Sequence, residues 1–208
     1  GYPSLYLGTS LELCCNEIKA DLNKDLIIAA AFKLERTIEY TNTNIQVIEL
    51  GVKPQDILNI PIDNEGSRRR IPRDLVESTN VQSAYLLWYP LIAACSFIRT
   101  NKNDPFAAEY IIPQLLMQWV RSEINSKEDD YDNLIGIRYF SCASVKASDM
   151  GFNYVFPTSG RQKSYELPYC AVLTKAFRLT NPVYIHEYDN ISACEWKLSK
   201  SNNYDHIH

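Results

Sequence analysis

The sequence predicts an α+β fold in which mixed sheets are flanked by helices. Several strand-like segments and a few well-separated helix-like segments occur along the chain, and they do not alternate as regular βαβ units. The composition is that of an ordinary globular protein, with 46% apolar residues, 22% charged residues, 7 Gly and 10 Pro in 208 residues. It excludes collagen-like, disordered and coiled-coil classes. At this length one compact domain is expected, spanning residues 1–200, with residues 201–208 as a polar, mobile tail.

The chain opens at full structural density, with Gly1-Tyr2-Pro3 as a turn and Ser4 to Gly8 as a strand. Termini usually fray, so a preceding segment is expected to be missing. Thr9-Ser10-Leu11-Glu12 fits the S/T-x-x-E capping box and predicts a helix start at Thr9. Leu11, Cys14, Cys15, Ile18 and Leu22 then share one helical face. Glu17 lies about 100° from the centre of that stripe, taking ~3.6 residues per turn. It sits at the edge, where a carboxylate could border a cleft.

Leu26 to Phe32 reads as a buried strand, and the alternating Ile45 to Leu50 as another, closed by Gly51. Residues 52–72 read as a loop that holds Arg68-Arg69-Arg70. Val81 to Arg99 predicts a helix kinked or divided by Pro90. Its run Ala84 to Cys95 is too short to span a bilayer, which takes ~20 apolar residues, and reads as buried core. Pro113 predicts a helix start preceded by extended residues, and Leu115, Leu116, Trp119, Val120 and Ile124 give that helix an apolar face. Ser126 to Asn133 is an acidic loop. Leu134 to Ser141 and Asn153 to Phe156 are strands, and Tyr169 to Tyr188 reads as one or two more.

Function is constrained first by what is missing. A net charge of -4 makes a poor general binder of nucleic acid, because phosphates need a basic surface. The six Cys contain no CxxC pair, and they read as reduced thiols of a cytoplasmic protein. His206 and His208 form H-x-H but fall in the tail, so no metal is expected. His186 has no Ser or Cys partner motif that would make a hydrolytic triad. Nucleotide-binding glycine motifs, GxSxG and HExxH do not occur. Arg68 to Arg70 with Arg73 could cradle phosphate, although a solvated loop is the simpler reading. Fourteen Tyr exceed core needs. Tyr6 ends a strand 11 residues before Glu17, so an aromatic ring and a carboxylate could flank one cleft.

Pro3-Ser4-Leu5-Tyr6-Leu7-Gly8-Thr9-Ser10, followed by Cys14 and Glu17, resembles the opening of the RES domain, a bacterial family named for its Arg, Glu and Ser. Tyr110-Ile111-Ile112-Pro113-Gln114 resembles the family's Y-x-x-x-Q helix, and Gly136-Ile137-Arg138-Tyr139-Phe140-Ser141 its G-I-x-Y-x-S strand. The resemblance covers roughly residues 1–188, and it rests on three modest motifs in the right order.

It implies a fold similar to ADP-ribosyltransferase toxins. It also implies a toxin that degrades NAD+ at the nicotinamide–ribose bond, as glycohydrolase or phosphorylase, paired with an Xre-type antitoxin. Glu17 would be the family's Glu, Ser141 its Ser, and Tyr6 the aromatic before the Glu, while Tyr110 would contact the dinucleotide. The family's Arg is expected upstream of Tyr6, outside this sequence, and Arg68 to Arg70 does not match it. NAD would be substrate, and the site of action the cytoplasm, with no direct nucleic-acid or membrane binding. A homodimer remains compatible with the resemblance. The competing readings are protein ADP-ribosylation and a non-catalytic RES-fold interaction module.

Overall fold

The computed structural model describes residues 3–34, 46–54, 57, 81–97, 108–126, 134–141, 150–158, 170–201 and 204–206. The chain begins with strand β1 (Ser4–Gly8) and helix α1 (Leu11–Glu17), followed by three short strands, β2 (Ile28–Ala29), β3 (Phe32–Leu34) and β4 (Gln46–Glu49). Helices α2 (Val81–Ala94) and α3 (Ile111–Ser126) come next, and α3 is entered through a 3-10 turn, Ala108–Tyr110. Strands β5 (Leu134–Phe140) and β6 (Phe152–Pro157) lead to helix α4 (Ala171–Ala176). Strands β7 (Phe177–Thr180) and β8 (Val183–Tyr184), helix α5 (Ile191–Ser199) and strand β9 (Tyr204–His206) complete the order. This is an α+β fold with mixed sheets. Among the described residues, no helix is long and apolar enough to cross a membrane.

The main sheet has the order β1-β6-β5-β4, antiparallel except for the parallel pair β5/β4. Alternation along β5 and β6 gives this sheet two apolar faces. Ile137 and Val155 pack with Tyr85, Ile92 and Cys95 near α2 and with Leu116 and Val120 of α3. On the opposite face Phe156 packs with Leu173, Ala176 and Phe177, and its ring meets that of Phe177 edge-on at 4.8 Å. A third cluster joins α1 to α5, with Cys15, Ala29, Ile185, Cys194 and Leu198 buried together.

Several expectations are corrected. The cap of α1 is Ser10, whose side chain accepts from the Leu13 amide. Thr9 instead exchanges two bonds with Phe152, which moves the helix start by one residue. The helix ends at Glu17, so Ile18 and Leu22 leave the predicted stripe and are exposed. The segment 26–32 is two strands rather than one, because its halves pair with different partners, β8 and β7.

Helix α2 runs through Pro90 without dividing. The carbonyl that proline deprives of a donor belongs to Leu86, which is exposed and can be solvated. The run 84–95 is only partly core: Tyr85, Ile92 and Cys95 are buried, while Leu86, Leu87, Trp88 and Tyr89 are exposed. Pro113 is the third residue of α3, and a 3-10 turn precedes the helix instead of extended chain. Of the apolar face predicted for α3, Leu116 and Val120 are buried, whereas Leu115 and Trp119 are exposed. Residues 204–206, expected in a mobile tail, form the edge strand β9 on β7, with Lys33 Nζ 5.6 Å from the Tyr204 ring centre. Backbone pairing needs no apolar side chain, so polarity alone did not reveal it. Arg68 to Arg70, Arg73, Cys142, His208 and the acidic loop after Ser126 lie outside the described residues.

Candidate active site

A seven-residue helix is marginal by itself, and α1 depends on its surroundings. Leu13 is fully buried and Cys15 nearly so. The Thr9 amide donates to the Phe152 carbonyl at 3.0 Å, and the Phe152 amide returns a bond to Thr9 Oγ1 at 2.9 Å. Ser10 Oγ donates to the Met150 carbonyl at 3.3 Å. From the far end of the chain, Glu195 accepts from the Leu11 amide at 3.1 Å and closes the start of the helix. Gly151 permits the approach of Thr9: its φ is +140°, and a Cβ there would lie 2.2 Å from Thr9 Oγ1. Together these bonds fix the short helix against the start of β6.

The result is that Glu17, the last residue of α1, reaches the end of the main sheet where β5 finishes and β6 begins. Ser141, one residue beyond β5, donates its hydroxyl to Glu17 Oε1. Asn153 Nδ2 donates to the same oxygen at 2.6 Å. Ser141 and Asn153 are both buried, at 2% and 5% exposure, while Glu17 is exposed. Among the described residues Oε2 has no hydrogen-bond partner. A carboxylate in the last turn of a helix faces the negative end of the helix dipole. The two donors offset that disadvantage. The carboxylate itself costs helix stability at this position, so the arrangement reads as a site.

Cys14 lies beside this carboxylate, with its Sγ where a Cβ on Gly8 would come within 2.7 Å. Burial pushes the Cys14 thiol up, and the negative charges of Glu17 and Glu195 push it further, against a backbone hydrogen bond involving Gly8. It remains a protonated thiol at neutral pH, unsuited to nucleophilic attack.

Tyr6 pairs with Val155 across β1/β6, and Gly8 pairs with Asn153. Tyr6 is therefore the diagonal neighbour of Asn153 on the same face, a separation of about 7–8 Å that an aromatic side chain can span. It is 66% exposed, and partial burial pushes its hydroxyl pKa up. Tyr110 ends the turn before α3 and is 43% exposed. Arg121 Nε donates to the Thr158 carbonyl, which fixes the later part of α3 at the opposite end of β6. The structure thus joins Glu17 to Ser141 directly and sets Tyr6 diagonal to their partner Asn153, while Tyr110, at the entry to α3, has no contact with the carboxylate among the described residues.

Sequence reading missed Asn153. The signal was present: Asn is disfavoured in strands, and this one occupies an alternating position shared with buried Val155. It also missed the ion pair of Glu49 with Arg138, at 2.7 Å on the other face of the sheet. Among the described residues no cluster of His, Cys, Asp and Glu could hold a metal ion.

No family model matches the chain, and no solved structure matches it. The chain is 30% identical over 190 residues to a protein of Bacillus subtilis (strain 168) named "Putative toxin YopC". The match covers 88% of this chain and 37% of that protein. The chain therefore spans little more than a third of the length of that curated relative.

Proposed function

We propose that the chain is the catalytic part of an NAD+-degrading toxin of the RES type. One observation carries the reading: an exposed helix-end carboxylate, Glu17, is held by two buried donors, Ser141 and Asn153, at the end of a sheet. The similarity to a protein named as a toxin supports the toxic role, and the three motifs support the RES assignment. The protein would act in the cytoplasm and be restrained by an Xre-type antitoxin.

In this reaction the bond between ribose C1 and the nicotinamide nitrogen breaks. The bonding pair leaves with nicotinamide, which departs neutral, and positive charge develops on the ribose. Glu17 stabilises that charge and holds the ribose hydroxyls, an interaction stronger in the transition state than in the ground state. Tyr6 packs against the nicotinamide or the ribose. Water then attacks C1 and releases its proton to solvent, giving ADP-ribose. Phosphate attacking instead gives the phosphorylated sugar.

The test is incubation of the purified full-length protein with NAD+, with and without phosphate, followed by separation of the products. Nicotinamide released in step with ADP-ribose, or with its phosphorylated form, is the expected result. Label from NAD+ retained on protein would replace this reading with ADP-ribosylation. Absence of nicotinamide release overturns it.

A further inference from the structure

We infer that Asn153 is a positioning residue that fixes which oxygen of Glu17 works. The inference rests on the reading of Glu17 as the carboxylate that stabilises the ribose. A carboxylate oxygen has two lone-pair directions. On Oε1 one is taken by the Ser141 hydroxyl and the other by Asn153 Nδ2 at 2.6 Å. The Asn153 amide must turn its nitrogen inward, because an ionised carboxylate only accepts. Both donors are buried at the end of the main sheet, Asn153 within β6 and Ser141 next to β5, so the carboxylate plane is set by the sheet rather than by the exposed helix end. Oε2 is left without a partner among the described residues. It is the oxygen that meets the ribose.

With Oε1 saturated, Ser141 and Asn153 act through Glu17 and do not touch substrate. Bonds to a charged acceptor in a buried setting are the strong class of hydrogen bond. They also hold the acceptor at one angle, which matters for a group that must face charge developing on one sugar. Asn153 lies inside β6, paired with Gly8 on one side and Tyr139 on the other, and Ser141 lies one residue beyond the end of β5.

The experiment combines NMR with kinetics on the full-length protein. One Asn153 side-chain amide proton should be shifted downfield and slow to exchange, and Glu17→Gln should move it. A resonance indifferent to Glu17→Gln overturns the inference whatever the activity. In the NAD+ assay Asn153→Leu should lower kcat about 10- to 100-fold, the range implied by loss of one hydrogen bond to a charged group, with KM changed less than about 3-fold. Asn153→Asp keeps the shape but sets a second carboxylate against Glu17, and it should be worse than Asn153→Leu at equal folded fraction. A residue that only fills space predicts the reverse order. In a Glu17→Gln background Asn153→Leu should have little further effect. If the wild-type chain cleaves NAD+, Glu17→Gln does not, and folded Asn153→Leu keeps its rate within about 2-fold, the positioning role fails and the function stands. If the wild-type full-length protein releases no nicotinamide, the function itself fails, and this inference with it.

Discussion

Replacing Gly151 with Ala strikes the joint that sets α1 on the sheet. Two separate costs follow from the geometry. The backbone φ of +140° lies where residues with a Cβ are strained, worth about 1–3 kcal/mol. The new Cβ would also stand 2.2 Å from Thr9 Oγ1, the atom that accepts the Phe152 amide at 2.9 Å. Thr9 must move, and the lost bond adds about 0.5–1.5 kcal/mol. The sum is about 2–4 kcal/mol. At about 2–4 °C per kcal/mol for a chain of this size, the melting temperature should fall roughly 4–16 °C. Scanning calorimetry reads this directly. Adding Thr9→Ala removes the clash but not the φ strain, so the double variant should lose less than the two single losses added together. Nicotinamide release should fall in Gly151→Ala even at temperatures where it is folded, since Glu17 reaches its donors through this joint. A melting point within 1 °C of wild type would refute the reasoning about both the turn and the placement of Glu17.

Two further outcomes follow. Burial pushes the Glu49 carboxyl up from its ordinary 4.5, against the opposing pull of Arg138 and of the Gly51 amide. The folded state then holds that proton more tightly than the unfolded state, so the stability it contributes is fully present below about pH 4.5 and is lost as pH rises through the folded pKa. Urea unfolding across that window should show a decline in wild type that Glu49→Gln flattens, and parallel curves would contradict it. Tyr6→Ala removes a largely exposed side chain, so stability should stay within about 0.5 kcal/mol of wild type. KM for NAD+ should rise about 2- to 10-fold, the value of one aromatic contact, with Tyr6→Phe close to wild type; an unchanged KM would remove Tyr6 from the site.

The strands that build the site were legible as short runs of aliphatic and aromatic residues, which favour a pleated, half-buried surface. Ser4 to Gly8, Leu134 to Ser141 and Asn153 to Phe156 all fall in or at the ends of observed strands. The pairing of Glu17 with Ser141 was legible only through family resemblance, since 124 residues separate the two side chains and no local period links them. Asn153 was lost because an isolated polar residue at a strand start resembles a turn signal until its partner is known. The cap of α1 was misplaced because Thr9 and Ser10 are both good caps, and the choice was made by Phe152, a residue distant in sequence that claims Thr9. Helix α5, with Asn190 accepting from the Ala193 amide at 2.8 Å, was not predicted. Its exposed Trp196 and buried Cys194 give a weak apolar stripe, and its contribution to the site, the Glu195 bond to α1, is wholly tertiary.

The most direct measurement is the rate of nicotinamide release from NAD+ by the full-length wild-type protein and by its Glu17→Gln variant, side by side at equal folded concentration. Glu17→Gln keeps the shape of the side chain and removes its charge. If that charge stabilises the ribose, the rate should fall at least about 100-fold, the scale of losing one preorganised electrostatic contact. Equal rates from the two proteins would show that the carboxylate is a surface group and that the chemistry lies elsewhere.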